Sequence, residues 1–421
     1  MQKILHLCWL VLVSTGLSAQ YQGPIPPITS GYGSDGPNAV AVSMLVNDHW
    51  IGNKIAVYYP VGTATPVPTL FYSHGFGAND TTFNRETLRH IASKGYAVVF
   101  VPYRTLGADV PERYATLHDG FNKAARTFTS IIDTTRAAFA GHSFGGGATP
   151  RMAYQAYADQ GWGANGKFIY CSAPWYSFEL GTDNLSNFPA SCNLLTVLYD
   201  DDDVNDHRMG MDIFNHIAIG NLRKDCIMVY SDTISGYSYI SDHTLPGQYN
   251  SNGEFDALDY YVTARLLDAL FAYTFTGDLT AQNIALGDGS VAQVDMGPLL
   301  SPLVVTNSPV PVYPQSRYEF PCDTVANERV LLCQDLSLSI PQESAEIEIG
   351  IYPNPSAGKI VLDLANIAEN ATVRVHNLAG VLVFSAGRQA IIDLSGEPDG
   401  VYVISVDSGS RTAKEKVILL K

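Results

Sequence analysis

Residues Gly141-His142-Ser143-Phe144-Gly145 set a serine between two glycines, directly after the apolar run Ala137 to Ala140 and before the small-residue run Gly146-Gly147-Ala148. A strand that turns sharply into a helix needs residues without side chains on both sides of the turn. Such a turn lifts the serine hydroxyl clear of the backbone, and the helix that follows aims its unpaired N–H groups at negative charge. A serine hydroxyl is a weak nucleophile at neutral pH. It needs a base to take its proton and an acid to hold that base in one tautomer, so other loops must supply a histidine and a carboxylate.

Two such loops exist. The apolar run Asn193 to Leu198 leads into Tyr199-Asp200-Asp201-Asp202-Asp203-Val204-Asn205-Asp206-His207-Arg208, and Ile227 to Tyr230 is followed by the polar segment Ser241-Asp242-His243-Thr244-Leu245-Pro246. The acidic run has a second reading as a calcium loop, because carboxylates at alternating positions suit that hard cation. His216 and His118 fall in amphipathic helical patterns and read as structural.

The elements that must position these groups alternate between strand and helix. Thr69 to Tyr72 is a strand ending at His74-Gly75, and Asp80 can cap a helix through Phe83, Leu88 and Ile91 to Lys94, where Gly95 ends it. Tyr96 to Val101 is a buried strand. Leu117 to Ile132 places Phe121, Ala124, Ala125, Phe128, Ile131 and Ile132 on one helical face, and Lys167 to Tyr170 is a further strand. After the His243 segment, Phe255 to Thr274 repeats its apolar residues at helical spacing. The pattern is α/β, with helices packed on a mainly parallel sheet. Pro150 falls inside the helix expected after Ser143 and should shorten or kink it.

With these features, Ile55 to Gly277 resembles the α/β-hydrolase superfamily, and within it the secreted esterases, lipases and polyester hydrolases. The resemblance implies the chain order Ser, Asp, His, with Ser143 as nucleophile and His243 as base; His207 is the alternative base but lies too close to the acid in the chain. Asp202, with Val204 two residues on, fits the superfamily's acid position best, ahead of Asp203 and then Asp206. The segment His74-Gly75-Phe76-Gly77 matches the superfamily's early oxyanion loop, which makes the Phe76 and Phe144 N–H groups the oxyanion donors, with both rings at the acyl cleft. His74 is expected to orient this loop and border the substrate, and Trp175 to line the cleft or simply pack in the core. This chemistry requires no metal or cofactor.

The rest of the chain sets the location. Met1 to Ala19 has Lys3, an apolar run from Ile4 to Val13 and the small-residue end Leu17-Ser18-Ala19, so residues 1–19 read as a secretory signal and residues 20–280 as the α/β domain. No segment is apolar for the roughly 20 residues that cross a bilayer. Once Cys8 leaves with the signal, an oxidising compartment favours a Cys322–Cys333 disulfide, and two of Cys171, Cys192 and Cys226 could form another. Residues 281–345 are proline-spotted and aperiodic, as in a β-rich extension or linker. Residues 346–421 alternate strictly and form a small all-β Ig-like sandwich.

In that last segment Ile351-Tyr352-Pro353-Asn354-Pro355, Gly358, Asp399-Gly400-Val401-Tyr402 and the basic stretch from Lys414 resemble the type A sorting domain of the type IX secretion system. The resemblance implies export through the periplasm and across the outer membrane, with the secretion machinery as partner and the outer cell surface or the medium as destination.

Charge narrows the partners further. There are 25 Lys and Arg against 41 Asp and Glu, net −16, which disfavours nucleic acid. The excess is local: residues 20–199 hold 11 basic and 11 acidic side chains, and residues 200–345 hold 6 and 21. A negative field over the second half would favour imidazolium and repel anionic substrates. The expectation is a secreted serine hydrolase acting on small or polymeric carboxylic esters. The alternatives are a peptidase or acyltransferase of the same fold, or a non-catalytic surface or adhesion protein that retains it.

Overall fold

The computed structural model describes residues 21–247, 254–322, 329, 331–332, 349–364, 367, 371–377, 382–408 and 411–421. The expected signal segment 1–19 lies outside the described residues. The chain divides into two compact units, Met1–Cys333 and Gln334–Lys421.

In the first unit β1 (Val40–Leu45), β2 (Ile55–Pro60), β3 (Val67–Ser73), β4 (Ala97–Phe100), β5 (Ile132–His142), β6 (Lys167–Ser172), β7 (Asn193–Tyr199) and β8 (Lys224–Val229) join one sheet. A hairpin, β9 (Asp232–Ile234) and β10 (Tyr237–Tyr239), follows, and β11 (Val304–Thr306) closes the far edge. The order is β1-β2-β4-β3-β5-β6-β7-β8-β11. Strands β4, β3, β5, β6, β7 and β8 run parallel, while β1, β2 and β11 are antiparallel to their neighbours. The central strands are apolar on both faces, as a sheet covered by helices on both sides requires.

The helices joining the strands include α1 (Arg85–Ser93), α2 (Val110–Thr127), α3 (Phe144–Tyr154), α4 (Thr182–Ser186), α5 (His207–His216), α6 (Arg265–Thr276), α7 (Leu279–Ala285) and α8 (Val291–Val294). One core holds Leu117 and Phe121 of α2, Met152 of α3 and Phe214 of α5 against Phe71 and Phe139. The other holds Leu88 and Ile91 of α1 and Leu266 and Phe271 of α6 against Leu70 and Val98. Strand β3 crosses to β4 on one side and β5 to β6 on the other. The order therefore reverses between β3 and β5, and a crevice opens there beyond their carboxyl ends.

Local details depart from the sequence expectations for physical reasons. Helix α1 starts at Arg85, and Asp80 instead accepts the Thr82 N–H at 2.7 Å in the preceding turn. Helix α2 begins at Val110, because the Asp109 carboxylate caps Glu112 N at 2.9 Å and Pro111 occupies the first turn, where no donor is needed. Its end at Thr127 frees Ile132 to open β5. Helix α3 continues through Pro150 to Tyr154 and then widens into a π-helical turn, Gln155–Asp159.

No disulfide links Cys171, Cys192 and Cys226, which are free and buried. Cys171 and Cys226 both pair with Thr196 on the strand between them. Two strand spacings separate them by about 9–10 Å, beyond the ~6.8 Å reach of a disulfide. Cys192 precedes Asn193, which pairs with Phe168, and so lies about four residues down the sheet from Cys171. Cys322 is disulfide-bonded, and Cys333 lies outside the described residues.

Residues 281–322 are more structured than a linker. They carry most of α7, all of α8, the edge strand β11, and a segment around Gln315–Phe320 that packs on the loop after β7. Leu286, Met296, Leu300, Leu303 and Tyr318 are buried there.

The second unit has two sheets, β12 (Gly350–Tyr352), β13 (Lys359–Asp363) and β16 (Ile391–Asp393) in one, and β14 (Thr372–Asn377), β15 (Leu382–Gly387), β17 (Gly400–Ser408) and β18 (Arg411–Leu419) in the other. Alternate residues of both, among them Ile360, Val373, Ile392, Ile404 and Val417, meet in one core. Asn354 fastens the first strand's end to β18, donating to Lys416 O at 2.7 Å and accepting from Ile418 N at 3.0 Å.

Candidate functional site

Ser143 stands between β5 and α3 with φ 57° and ψ −124°, a conformation that side chains rarely adopt. Its backbone is held on three sides. Ser143 N donates to Ser172 O at 3.0 Å, while Gly147 N and Trp175 N donate to Ser143 O at 3.0 and 2.8 Å. The flanking glycines are required by close approach: a Cβ at Gly145 would stand 2.0 Å from Ser73 O, and one at Gly141 2.3 Å from Gly145 O. The small residues thus let α3 start directly against the ends of β3 and β5.

His243 follows the β9–β10 hairpin. An Asx turn at Asp242, whose carboxylate accepts Thr244 N at 2.8 Å, shapes its loop. His142 anchors the loop by donating from Nε2 to His243 O at 2.8 Å. Burial, and then the nearby His243, keep the His142 pKa well below the usual range, so this ring stays neutral. His243 Nε2 lies 2.9 Å from Ser143 Oγ, and its Nδ1 lies 2.9 Å from Asp202 Oδ2. Nδ1–H donates to the carboxylate, which leaves the Nε2 lone pair facing the serine hydroxyl.

Asp202 lies in the loop from β7 to α5. Its Oδ1 accepts the Val204 and Asn205 N–H groups at 2.9 and 2.8 Å, so both carboxylate oxygens are committed. Asn205 in turn donates from Nδ2 to Ala173 O at 2.6 Å. Asp201 N donates to Ser241 O at 3.0 Å, tying the acid loop to the histidine loop.

The competing residues have other places. Asp203 is exposed. Asp206 caps α5 and pairs with Arg208 at 2.6 Å, and His207 donates from Nε2 to Tyr199 O at 2.8 Å. Among the described residues no group of three or more His, Cys, Asp or Glu side chains is arranged to hold a metal ion.

A cleft of about 430 Å³ lies over this chain of hydrogen bonds, bordered by Gly75, Phe76, Phe83, Ser143, His243 and Thr244 among others. Among the described residues, neither Phe76 N–H nor Phe144 N–H donates to another group. The Phe76 ring is 54% exposed at the cleft. The Phe144 ring is buried instead, among Tyr103, Tyr114 and Phe178.

His74 does not border the cleft. Its ring is fully buried and stacks on Tyr103 at 3.9 Å. Nδ1 donates to Gly75 O at 2.7 Å, Nε2 accepts Tyr103 N at 3.1 Å, and burial pushes its pKa down to about 4. It therefore braces the His74–Gly77 loop as a neutral ring. Trp175 is half-buried, edge-on to Tyr176 and Phe320, and touches Ser143 through its backbone.

Sequence reasoning missed Phe83 and Thr244 at the cleft, and the support the acid loop receives from residues 313–320. Arg317 Nη2 donates to Asp200 O at 2.7 Å, Tyr313 OH bonds the Asp200 carboxylate, and Phe320 N donates to Asp206 Oδ2 at 3.1 Å. These partners are more than a hundred residues apart, in a stretch without periodicity, and carry no sequence signal.

Among the described residues no helix is long and apolar enough to cross a membrane. A search of curated proteins finds no match to this chain. Residues 350–420, the span of both small sheets, match the secretion system C-terminal sorting domain, the type IX tail that directs a protein to the cell surface or the medium.

Proposed function

We propose that the first unit is an α/β-hydrolase and that the exported protein is a serine hydrolase cleaving carboxylic esters through an acyl-enzyme. The observation that carries this reading is the continuous chain Ser143 Oγ, His243 Nε2, His243 Nδ1 and Asp202 Oδ2, with both links at 2.9 Å and an open cleft above it.

Ser143 Oγ attacks the ester carbonyl as His243 Nε2 takes its proton. Asp202 holds the Nδ1–H tautomer and stabilises the imidazolium. The Phe76 and Phe144 N–H groups receive the oxyanion of the tetrahedral intermediate, each such donor contributing about 2.7–4 kcal/mol to lowering the barrier. Collapse breaks the ester bond, and His243 returns the proton to the leaving alkoxide. Water then adds to the acyl-enzyme with His243 as base, releasing the acid and restoring Ser143.

The exposed Phe76 ring and a cleft open to solvent suit small acyl groups as well as a chain of a polymeric ester lying across the surface. The test is hydrolysis of p-nitrophenyl esters of several acyl lengths by the full chain, with Ser143→Ala as control. Turnover by the wild type that Ser143→Ala abolishes supports the reading. Equal hydrolysis by both proteins rejects it.

A further inference from the structure

Arg113 of α2 is half-buried, and its guanidinium carbon lies 5.1 Å from the centre of the Phe76 ring and 5.4 Å from that of Phe144. One cation therefore stands against the rings of both residues whose N–H groups face the oxyanion. The same guanidinium is fixed by backbone: Nε donates to Arg104 O at 3.2 Å, and Nη2 to Thr105 O at 2.9 Å and Ala108 O at 2.7 Å. These carbonyls belong to the connection from β4 to α2, so Arg113 joins that connection to the His74–Gly77 loop.

The two aromatic residues need this support unequally. Phe144 has three aromatic neighbours, at 5.3, 5.8 and 6.1 Å, and its N–H is fixed by the start of α3. Phe76 is 54% exposed, in a loop whose next residue, Gly77, has φ 93°. A planar guanidinium against an aromatic face holds the ring through cation–π attraction. The position of its N–H then follows from the position of its ring. Oxyanion donors act only within about 2.7–3.1 Å of the oxyanion, and a displacement of about 1 Å can reduce rate up to about a hundredfold.

We propose that Arg113 is a positioning residue for the oxyanion site, setting the Phe76 N–H through contact with the Phe76 ring; this rests on the hydrolase reading above. A group acting only on the oxyanion changes kcat and leaves KM largely alone. Arg113→Met keeps the side chain's length and removes the charge and the fork, and Arg113→Lys keeps the charge without the fork.

The experiment is a double-mutant cycle in the full chain, with p-nitrophenyl butanoate as substrate and thermal melting as the folding control. Arg113→Met should lower kcat about tenfold with KM within about twofold. In a Phe76→Leu background the same change should cost less than about twofold, because the ring through which Arg113 acts is gone. If Arg113→Met does not fold, Arg113→Lys takes its place in the cycle with the same expected non-additivity. Additive effects, an unchanged kcat, or a loss carried by KM would overturn the proposal while the Ser143→Ala control still upholds the hydrolase reading. No turnover by the wild type overturns both.

Discussion

Replacing Asp202 by Asn is the sharpest probe of the site, because the structure determines which way the new amide faces. Asp202 Oδ1 accepts two backbone N–H groups, from Val204 and Asn205, and Oδ2 accepts one, from His243 Nδ1. An Asn side chain has one oxygen and one NH2. Turning the oxygen toward His243 would set the NH2 against two backbone donors and leave both unsatisfied, at about 1–3 kcal/mol each. The opposite orientation keeps both backbone bonds and presents the NH2 to His243 Nδ1. Nδ1 must then accept, so the ring proton moves to Nε2 and the face toward Ser143 Oγ can no longer take its proton.

A base held in the wrong tautomer lowers kcat by about 10⁴-fold in a serine triad, which corresponds to about 5.5 kcal/mol of barrier. The side chain keeps its shape and two of its three hydrogen bonds, so the melting temperature should move by only a few degrees. The assay is kcat for p-nitrophenyl butanoate near pH 8, with Asp203→Asn beside it. Asp203 is exposed, and its amide should retain activity within about twofold. If Asp202→Asn keeps a tenth or more of wild-type kcat while Asp203→Asn loses it, the assignment of the acid and the tautomer argument both fail.

Stability should fall as pH rises from about 7.5 to 9.5, above the range where the neutral rings of His74 and His142 act in the opposite direction. Burial works to lower the His90 pKa, but the hydrogen bonds that its ring donates to Asp268 and Asp35 outweigh it and raise it to about 9. This contribution, about 3 kcal/mol, is fully present below the unfolded value near 6.5 and lost as pH passes about 9. Burial also raises Asp225 and Asp256 to about 6, and these titrate below this range; urea denaturation across the range checks the slope, and a rise with pH would contradict it. A chain cut after residue 280 should fail to fold where one cut after 333 succeeds, because Leu286, Met296, Leu300, Leu303, Tyr318 and Leu332 are buried and together contribute on the order of 10 kcal/mol. Soluble expression and calorimetry of the two fragments decide this. Cys171, Cys192 and Cys226 should resist a thiol reagent until the protein is denatured, since burial raises all three thiols, Cys226 to about 12. Rapid labelling of the native protein at any of them would show the sheet to be open.

How much of this was legible in the sequence depended on whether the signal was local. The glycines around Ser143 encode a close approach within a few residues, and the structure places Gly145 against Ser73 O. The apolar runs of β3 to β8 are long enough to be read as buried strands, and Ser143 follows β5, Asp202 follows β7 and His243 follows the hairpin after β8. Where the reading went astray, the deciding contact was remote. The thiols look pairable by count alone, and only the strand order, which sets β7 between them, separates Cys171 from Cys226. His74 looks like a cleft residue until Tyr103 is seen to stack on it. Residues 281–322 have no periodicity because their side chains pack onto a sheet made elsewhere, on β8 and on the loop after β7. Each half of such a contact is uninformative by itself.

The charge asymmetry changes meaning for the same reason. Among the described residues seven carboxylates are buried, Asp202, Asp206, Asp212, Asp225, Asp256, Asp259 and Asp268, and all belong to the segment with 21 acidic side chains. Most are fastenings. Asp206 pairs with Arg208, Asp212 with Arg329 and Asp268 with Lys94 and His90, while Asp225 accepts from Gln293 at 2.7 Å and Asp256 from Leu258 N at 2.8 Å. Burial pushes the carboxyls of Asp212, Asp225 and Asp256 up, against the opposing pull of Arg329 on Asp212. The formal excess therefore overstates the field that a substrate meets. At the cleft, the exposed carboxylate of Asp80 faces the same space as the Phe76 ring, with the Arg113 cation 5.1 Å from that ring. Asp80 at the cleft and Arg113 against the Phe76 ring are charges of opposite sign that both lie outside the acidic half, whose buried carboxylates serve instead to fasten the loops that hold Asp202 and His243.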